Sequence, residues 1–316
     1  MLDRRMAGPV RPGLAVGWRP AVRLGAFGWL AVAVALVAGL VWFDRESLFD
    51  VPRQLGSADW RLAVVALVLL VAVDLAKAWR WQVLYGVLQP SYQRVLQAQV
   101  VGQAANTLVP LRLGEVLRVS WAAPTPSGVA RGTAGLVLTK AIDAVILAGL
   151  IAWVFGGSLL TQVQLLPAVL LGLLVAVGLG LSQRYRHIGG GGLGAVRPLL
   201  AAAARYAREL HAGTLAIVLL TSAIAWVVGG MANLAVLSAV GAPASIDAAG
   251  RILASGYVAG LLPAPPGRLG VYEGAVAAAL VAGGMDLSLA IAIAVIMHAL
   301  QLVEVGLLVL AATRWR

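Results

Sequence analysis

The chain reads as an all-α polytopic membrane protein, with about six full spans and two oppositely oriented re-entrant hairpins arranged as an inverted repeat. Three observations predict this class. Hydrophobic residues make up 61% of the 316 positions and charged residues 12%, with a mean hydropathy of +0.91, far from the balance of a soluble domain. The apolar runs reach about 20 residues, the length a helix needs to cross a hydrocarbon layer about 30 Å thick. A short element also occurs twice, each time interrupting an apolar segment. One copy is Pro110-Leu111-Arg112-Leu113-Gly114-Glu115; the other is Pro266-Gly267-Arg268-Leu269-Gly270, with Glu273 close behind.

The charge pattern orients the spans. Of a net charge of +11, Arg4, Arg5, Arg11, Arg19 and Arg23 precede the first apolar run. Arg184, Arg186, Arg197, Arg205 and Arg208 fill the one long central loop, and Arg314 and Arg316 end the chain. The connection 44–61 instead carries Asp44, Glu46, Asp50 and Asp59 against three Arg. By the positive-inside rule both termini and the central loop are cytoplasmic, and 44–61 is outside. A nucleic-acid partner would need a soluble basic face, which this composition does not offer; the cations read as topology determinants lying against anionic headgroups. The absence of Cys excludes a disulfide framework, a thiolate nucleophile and a cysteine metal site. His187, His211 and His298 are too dispersed in sequence to suggest a metal centre, and no cofactor is expected.

Taken in order, residues 1–23 form the basic cytoplasmic N-terminus, and 24–182 form the first membrane half. Segment 24–43 runs outwards; it is long and lacks a small-residue cleavage site, so it reads as a retained span rather than a signal peptide. Span 60–85 returns, 131–155 runs out, and 165–182 comes back to the Arg-rich loop 183–212. Segment 95–120, broken at Pro110, must therefore enter and leave on the cytoplasmic side. Within the loop, Leu199, Ala203, Tyr206 and Leu210 fall on one helical face and Arg197, Arg205, Arg208 and Glu209 on the other, the pattern of an interfacial amphipathic helix. In the second half, 213–316, span 213–240 runs out and 287–312 returns to Arg314. Segment 246–285, broken at Pro263–Gly270, is then a second hairpin from the opposite face. Pro110, Gly114, Pro263, Pro266, Gly267 and Gly270 are the hinge and break residues, since Pro lacks an N–H and Gly is conformationally loose. Broken backbone at membrane depth is tolerated where protein or a water-filled cavity satisfies it. Matching breaks in two halves point to the substrate site of an inverted-repeat transporter.

Polar residues inside the spans carry the rest. Asp74, Lys77, Trp81 and Tyr85 share a stripe, with Arg80 alongside; Gln99, Gln103 and Asn106 line one face just before Pro110. Lys140 and Asp143 stand one turn apart and can pair, and His298, Gln301 and Glu304 form a ridge. Charges in hydrocarbon must face one another or a cavity, although Lys77 and Arg80 also lie within snorkelling reach of the cytoplasmic interface. Arg112 and Arg118, with Glu115 between them, suit a phosphate, because a guanidinium fork matches its oxygens and a carboxylate keeps the array ordered. A helix N-terminus after Pro110 or Gly267 adds partial positive charge. In so apolar a chain the natural ligand is a lipid with an anionic or phosphate headgroup. The substrate-binding candidates are Asn106, Arg112, Glu115, Arg118, Lys140, Asp143, Arg268 and Glu273, with Asp74, Lys77, Arg80, His298 and Glu304 as a second set.

At these residues the chain resembles a known family. Asn106-x-x-x-Pro110-x-Arg112-x-Gly114-Glu115-x-x-Arg118 is similar to the first signature of the lysylphosphatidylglycerol synthase transmembrane-region family. Pro266-Gly267-x-Leu269-Gly270-Val271-x-Glu273 is similar to its second, usually Pro-Gly-Gly-x-Gly-x-x-Glu. Ala78-Trp79-Arg80-Trp81 and Lys140-x-x-Asp143 resemble two further family features, so the likeness runs from about 60 to 312. Arg268 departs from the pattern by standing where the family usually has Gly, and His298 lies in a last span where relatives often carry Arg. The resemblance implies lipid handling in a bacterial or archaeal cytoplasmic membrane. Members include the flippase half of aminoacyl-phosphatidylglycerol synthases, stand-alone membrane proteins, and relatives linked to polyprenyl-phosphate sugars. The expected function is a lipid flippase or transporter moving aminoacyl-phosphatidylglycerol, another anionic phospholipid or a polyprenyl-phosphate sugar between leaflets. Arg112, Arg118 and Arg268 would engage the phosphate, and Glu115, Glu273 and Asp143 would order them or meet a cationic headgroup part. The chain stops at Arg316 just after its last span and shows no serine/histidine pair, DxD motif or P-loop, so a transporter is favoured over an enzyme. The alternatives are a membrane-embedded transferase acting on a lipid or lipid-linked sugar, and a non-catalytic membrane subunit whose partner is a separate lipid-modifying synthase.

Overall fold

A computed structural model of the protein describes residues 45–88, 90–108, 114–159, 205, 206, 208–261 and 264–314. Among these residues the elements are nine α-helices and two 3₁₀ turns, with no strand. In chain order the helices are α1 (Arg45–Gly56), α2 (Trp60–Leu84), α3 (Tyr92–Leu108), α4 (Gly114–Ala122), α5 (Pro126–Leu159), α6 (Ala212–Ala239), α7 (Ile246–Leu261), α8 (Val271–Val281) and α9 (Leu287–Arg314). The expected spans 24–43 and 165–182, the first part of the expected amphipathic helix, and Pro110, Arg112 and Pro263 lie outside the described residues.

Four helices, α2, α5, α6 and α9, are long and apolar enough to cross a membrane. Their outward faces carry Val68, Val145, Leu220 and Leu310, all more than half exposed. Such an exterior suits hydrocarbon rather than water. The other helices pair off, α3 with α4 and α7 with α8. At about 1.5 Å of rise per residue, none of these four short helices reaches the roughly 30 Å of a hydrocarbon core.

Helix starts follow local chemistry. Asp59 caps α2, its Oδ1 accepting from Arg61 N at 2.9 Å. Thr125 begins α5: its Oγ1 accepts from Gly128 N at 3.1 Å, and Pro126 fills the first helical position, where no N–H is needed. The expected start at 131 was too late because Pro124 and Pro126 read as loop. A second difference is α1, which occupies part of the connection 44–61 and packs against α9, with Leu55 against the core. Its internal Pro52 and acidic residues masked it in the sequence. Asp286 caps α9, with Oδ1 accepting from Ser288 N at 2.9 Å, from Leu289 N at 3.2 Å and from the Ser288 hydroxyl. These donors hold its carboxyl below the usual carboxylate range. Asp286→Ala is expected to lower stability by about 1 kcal/mol. Because the folded carboxyl is the stronger acid, the wild-type advantage is present above the unfolded value of about 3.9 and fades as pH falls through the folded one. Thermal unfolding in detergent at neutral and acid pH checks both.

Packing repeats itself. The most extensive contact is α2 on α6, and around it each neighbour in the first half has a counterpart in the second. Helix α2 touches α3 as α6 touches α7; α4 touches α5 as α8 touches α9. The halves also cross over, since α5 packs on α7 and α9 packs on α3. Paired hydrogen bonds follow the same rule. Gln99 Nε2 donates to the Asp74 carbonyl at 3.0 Å, joining α3 to α2, and Asn233 Nδ2 donates to the Ala249 carbonyl at 3.1 Å, joining α6 to α7. The largest apolar core, with Val236, Ile252, Leu280, Ile293 and Met297, lies among α6, α7, α8 and α9.

Candidate functional site: a charged cavity between two broken hairpins

Each hairpin is held by a different device. In the first, Gly102 of α3 and Gly114 of α4 let the backbones touch: a Cβ on Gly114 would collide with the Gly102 carbonyl oxygen. Asn106 Oδ1 accepts from Gly114 N at 2.9 Å and so satisfies an open donor at the start of α4. In the second, a 3₁₀ turn at Pro266–Arg268 reverses the chain through left-handed backbone at Gly267 (φ 74°), Arg268 (φ 57°) and Gly270 (φ 79°). Glu273 Oε2 accepts from Gly270 N at 2.8 Å and does for α8 what Asn106 does for α4. Its Oε1 meets His298 Nδ1 at 2.7 Å. Helix α3 packs against the 3₁₀ turn, which joins the two hairpins.

Between them lies a cavity of about 360 Å³. It collects most of the sequence candidates: Asp74, Lys77 and Arg80 from α2, Asn106 from α3, Glu115 and Arg118 from α4, Lys140 and Asp143 from α5, Arg268 from the turn, and Glu304 from α9. Glu273 and His298 do not line it. They stand behind Tyr272, whose ring centroid is 4.8 Å from that of His298 and whose hydroxyl accepts from Gln301 Nε2 at 2.8 Å. Glu273 therefore orders the backbone break rather than the arginines.

The charges are paired across helices. Arg80 donates through Nη1 to Asp143 Oδ1 at 2.9 Å and through Nη2 to Oδ2 at 3.0 Å. Ser222 Oγ accepts from Arg80 Nη1 at 2.6 Å, and Trp226 Nε1 donates to Asp143 Oδ1 at 3.3 Å. Asp143 thus takes Arg80 as partner rather than Lys140, because the guanidinium fork offers two parallel bonds where an ammonium offers a point charge. Arg80 is 5% exposed and does not snorkel. Lys140 Nζ instead meets Glu115 Oε1 at 3.3 Å, and Arg118 Nη1 lies 3.6 Å from Glu115 Oε2. Arg118 also stacks 4.2 Å from the Trp81 ring, which fixes the guanidinium plane. Lys77 lies 3.6 Å from Asp74 and 5.9 Å from the Tyr257 ring centroid. Arg268 lines the cavity and has no carboxylate within ion-pairing distance among the described residues. Its positive φ is a conformation that Gly adopts without strain.

Sequence reasoning missed the α6 contribution. Ser222, Trp226, Gly229 and Asn233 are all buried, and none carries a charge, so a charge-led search passes over them. Their spacing of i, i+4, i+7 and i+11 puts them on one face and was the available signal. Tyr257, stacked on Trp226 at 4.4 Å, was missed for the same reason.

Fold and cavity define a multi-pass α-helical membrane protein with a charged interior site. The chain matches the family described as the lysylphosphatidylglycerol synthase TM region over residues 29–308, nearly its whole length, and belongs to that family. It is a membrane-region family associated with lipid handling. Comparison with curated proteins and with solved structures gives no match.

Proposed function

We propose that the protein moves a phosphate-bearing lipid between leaflets, with the headgroup carried in the central cavity. The observation that carries this reading is the cavity's charge: five cations, Lys77, Arg80, Arg118, Lys140 and Arg268, face four carboxyls, and Arg268 has none of its own among the described residues. A cation taken out of water without a counter-ion is expensive, and a phosphate entering beside Arg268 and Arg118 supplies one. An apolar exterior lets the acyl chains stay in hydrocarbon while the headgroup sits inside.

The two hairpins are read as re-entrant and the halves as an inverted repeat. The direction of the central helices supports this. Asp59 N, at the start of α2, donates to the Ala239 carbonyl at the end of α6 at 2.7 Å, while Leu84 at the end of α2 packs on Val218 near the start of α6. Equivalent helices of the two halves therefore run antiparallel. Rocking about this shared pair would expose the cavity to each leaflet in turn.

The test uses purified protein in phosphatidylcholine vesicles carrying trace fluorescent phosphatidylglycerol, its lysyl ester or a polyprenyl-phosphate sugar. One of these lipids should cross, chemically unchanged. Arg268→Ala and Arg118→Ala should each slow it about tenfold or more, the effect of losing one charge-assisted contact of about 1.5–3 kcal/mol. No movement above protein-free vesicles overturns the reading, and a new lipid species would replace it with the transferase alternative.

A further inference from the structure

The wall that α3 gives to the cavity is polar but uncharged. Gln99, Gln103 and Asn106, at i, i+4 and i+7, all line it. Gln99 is 4% exposed, and its Nε2 donates to the Asp74 main-chain carbonyl at 3.0 Å. A carbonyl only accepts, so the amide nitrogen must face it and Oε1 is left for another donor. That Oε1 is buried and meets no donor among the described residues. Asp74 lines the same cavity and is also 4% exposed. Its Oδ2 is a second buried acceptor that meets no donor among the described residues. The hydrogen bond from Gln99 makes the two residues neighbours.

Buried acceptors without donors are rare and costly, and each calls for an explanation. An ionised phosphodiester does not answer them, because its oxygens only accept. An ammonium donates, but Lys77 Nζ already stands 3.6 Å from Asp74 Oδ1, and a second cation beside it meets like-charge repulsion. A hydroxyl donates without adding charge, and it also accepts. Hydroxyls therefore fit this wall, while Arg118 and Arg268 of the same cavity remain for the phosphate.

We propose that Gln99 and Asp74 form a hydroxyl-binding subsite, so that the headgroup carried is a phosphodiester with free hydroxyls, those of a glycerol or of a sugar. The headgroup O–H groups donate to Gln99 Oε1 and Asp74 Oδ2, and the phosphate stays with the arginines. A headgroup of the same charge without hydroxyls leaves both acceptors unpaired, and a site built to hydrogen-bond a hydroxyl rejects such an analogue strongly. The inference rests on the lipid-transport reading above for the molecule that brings the hydroxyls.

The test compares lipids matched in charge, in vesicles carrying the purified protein. Phosphatidylglycerol is set against phosphatidylpropanol, and a polyprenyl-phosphate hexose against polyprenyl methyl phosphate. In at least one pair the hydroxylated lipid should cross about tenfold faster or more, and that pair names the source of the hydroxyls. Gln99→Leu, checked for folding by circular dichroism, should bring the ratio close to one; a folded variant that keeps the preference overturns the subsite. Equal rates within both pairs in the wild type overturn it too, and leave the transport reading in place. If no lipid crosses, the transport reading falls, and thermal shifts in detergent decide the subsite alone. Glycerol 3-phosphate should then raise the melting temperature more than propyl phosphate does, and equal shifts, or none, overturn the subsite.

Discussion

Alanine at Gly114 is expected to leave little folded protein. A Cβ there would strike the Gly102 carbonyl oxygen directly and stand 2.5 Å from Asn106 Oδ1. The first obstacle is backbone and cannot rotate aside, so α3 and α4 must separate. Separation also releases the Asn106 cap at the start of α4. Overpacking of about 1–3 kcal/mol or more therefore adds to a lost cap of about 1 kcal/mol. That sum is a large part of the 5–15 kcal/mol that typically holds a domain together. Gly149 and Gly230, where a Cβ meets nothing within 4 Å, serve as controls. Fluorescence-detected size exclusion and thermal melts of the three alanine variants decide it; a Gly114→Ala protein as well behaved as Gly149→Ala would contradict the close approach described here.

Asp143→Ala is the second large effect. It leaves the buried Arg80 with Ser222 alone and removes the acceptor of Trp226 Nε1. Taking one partner from a buried ion pair typically costs about 3–5 kcal/mol, whereas replacing both by apolar residues is often close to neutral. The double variant Arg80→Met/Asp143→Leu should therefore melt well above Asp143→Ala. If the double variant is no better than the single, the pair is not the source of the loss.

What the sequence made legible was the chemistry that charge marks. Asp74, Arg80, Arg118, Lys140 and Asp143 stand out in apolar helices because burying them is costly, and the cavity gathers all of them. The doubled Pro/Gly element coincides with the interval between α3 and α4 and with the 3₁₀ turn ahead of α8, since such residues are poorly suited to a helix interior. Partner choice was less legible. Spacing along α5 suggests Lys140 with Asp143, but spacing cannot show that Arg80 arrives from α2 with a bidentate fork. The roles of Asn106 and Glu273 as holders of a helix start depend on where the chain breaks to within one residue. Ser222 and Trp226 are ordinary in an apolar helix until their partners are known.

The crossed packing of the halves has a consequence for how the chain comes together. Arg251 on α7 donates to the Val154 carbonyl of α5 at 2.9 Å, and Gln97 on α3 donates to the Ala312 carbonyl of α9 at 3.2 Å. Each hairpin is thus braced by a long helix of the opposite half. During synthesis the first hairpin emerges long before α9 exists, and must wait in the membrane with its brace missing. The halves are interlocked rather than stacked, so neither is a self-sufficient folding unit. A truncation that removes α9 strips support from a hairpin almost two hundred residues upstream as well as from the one beside it.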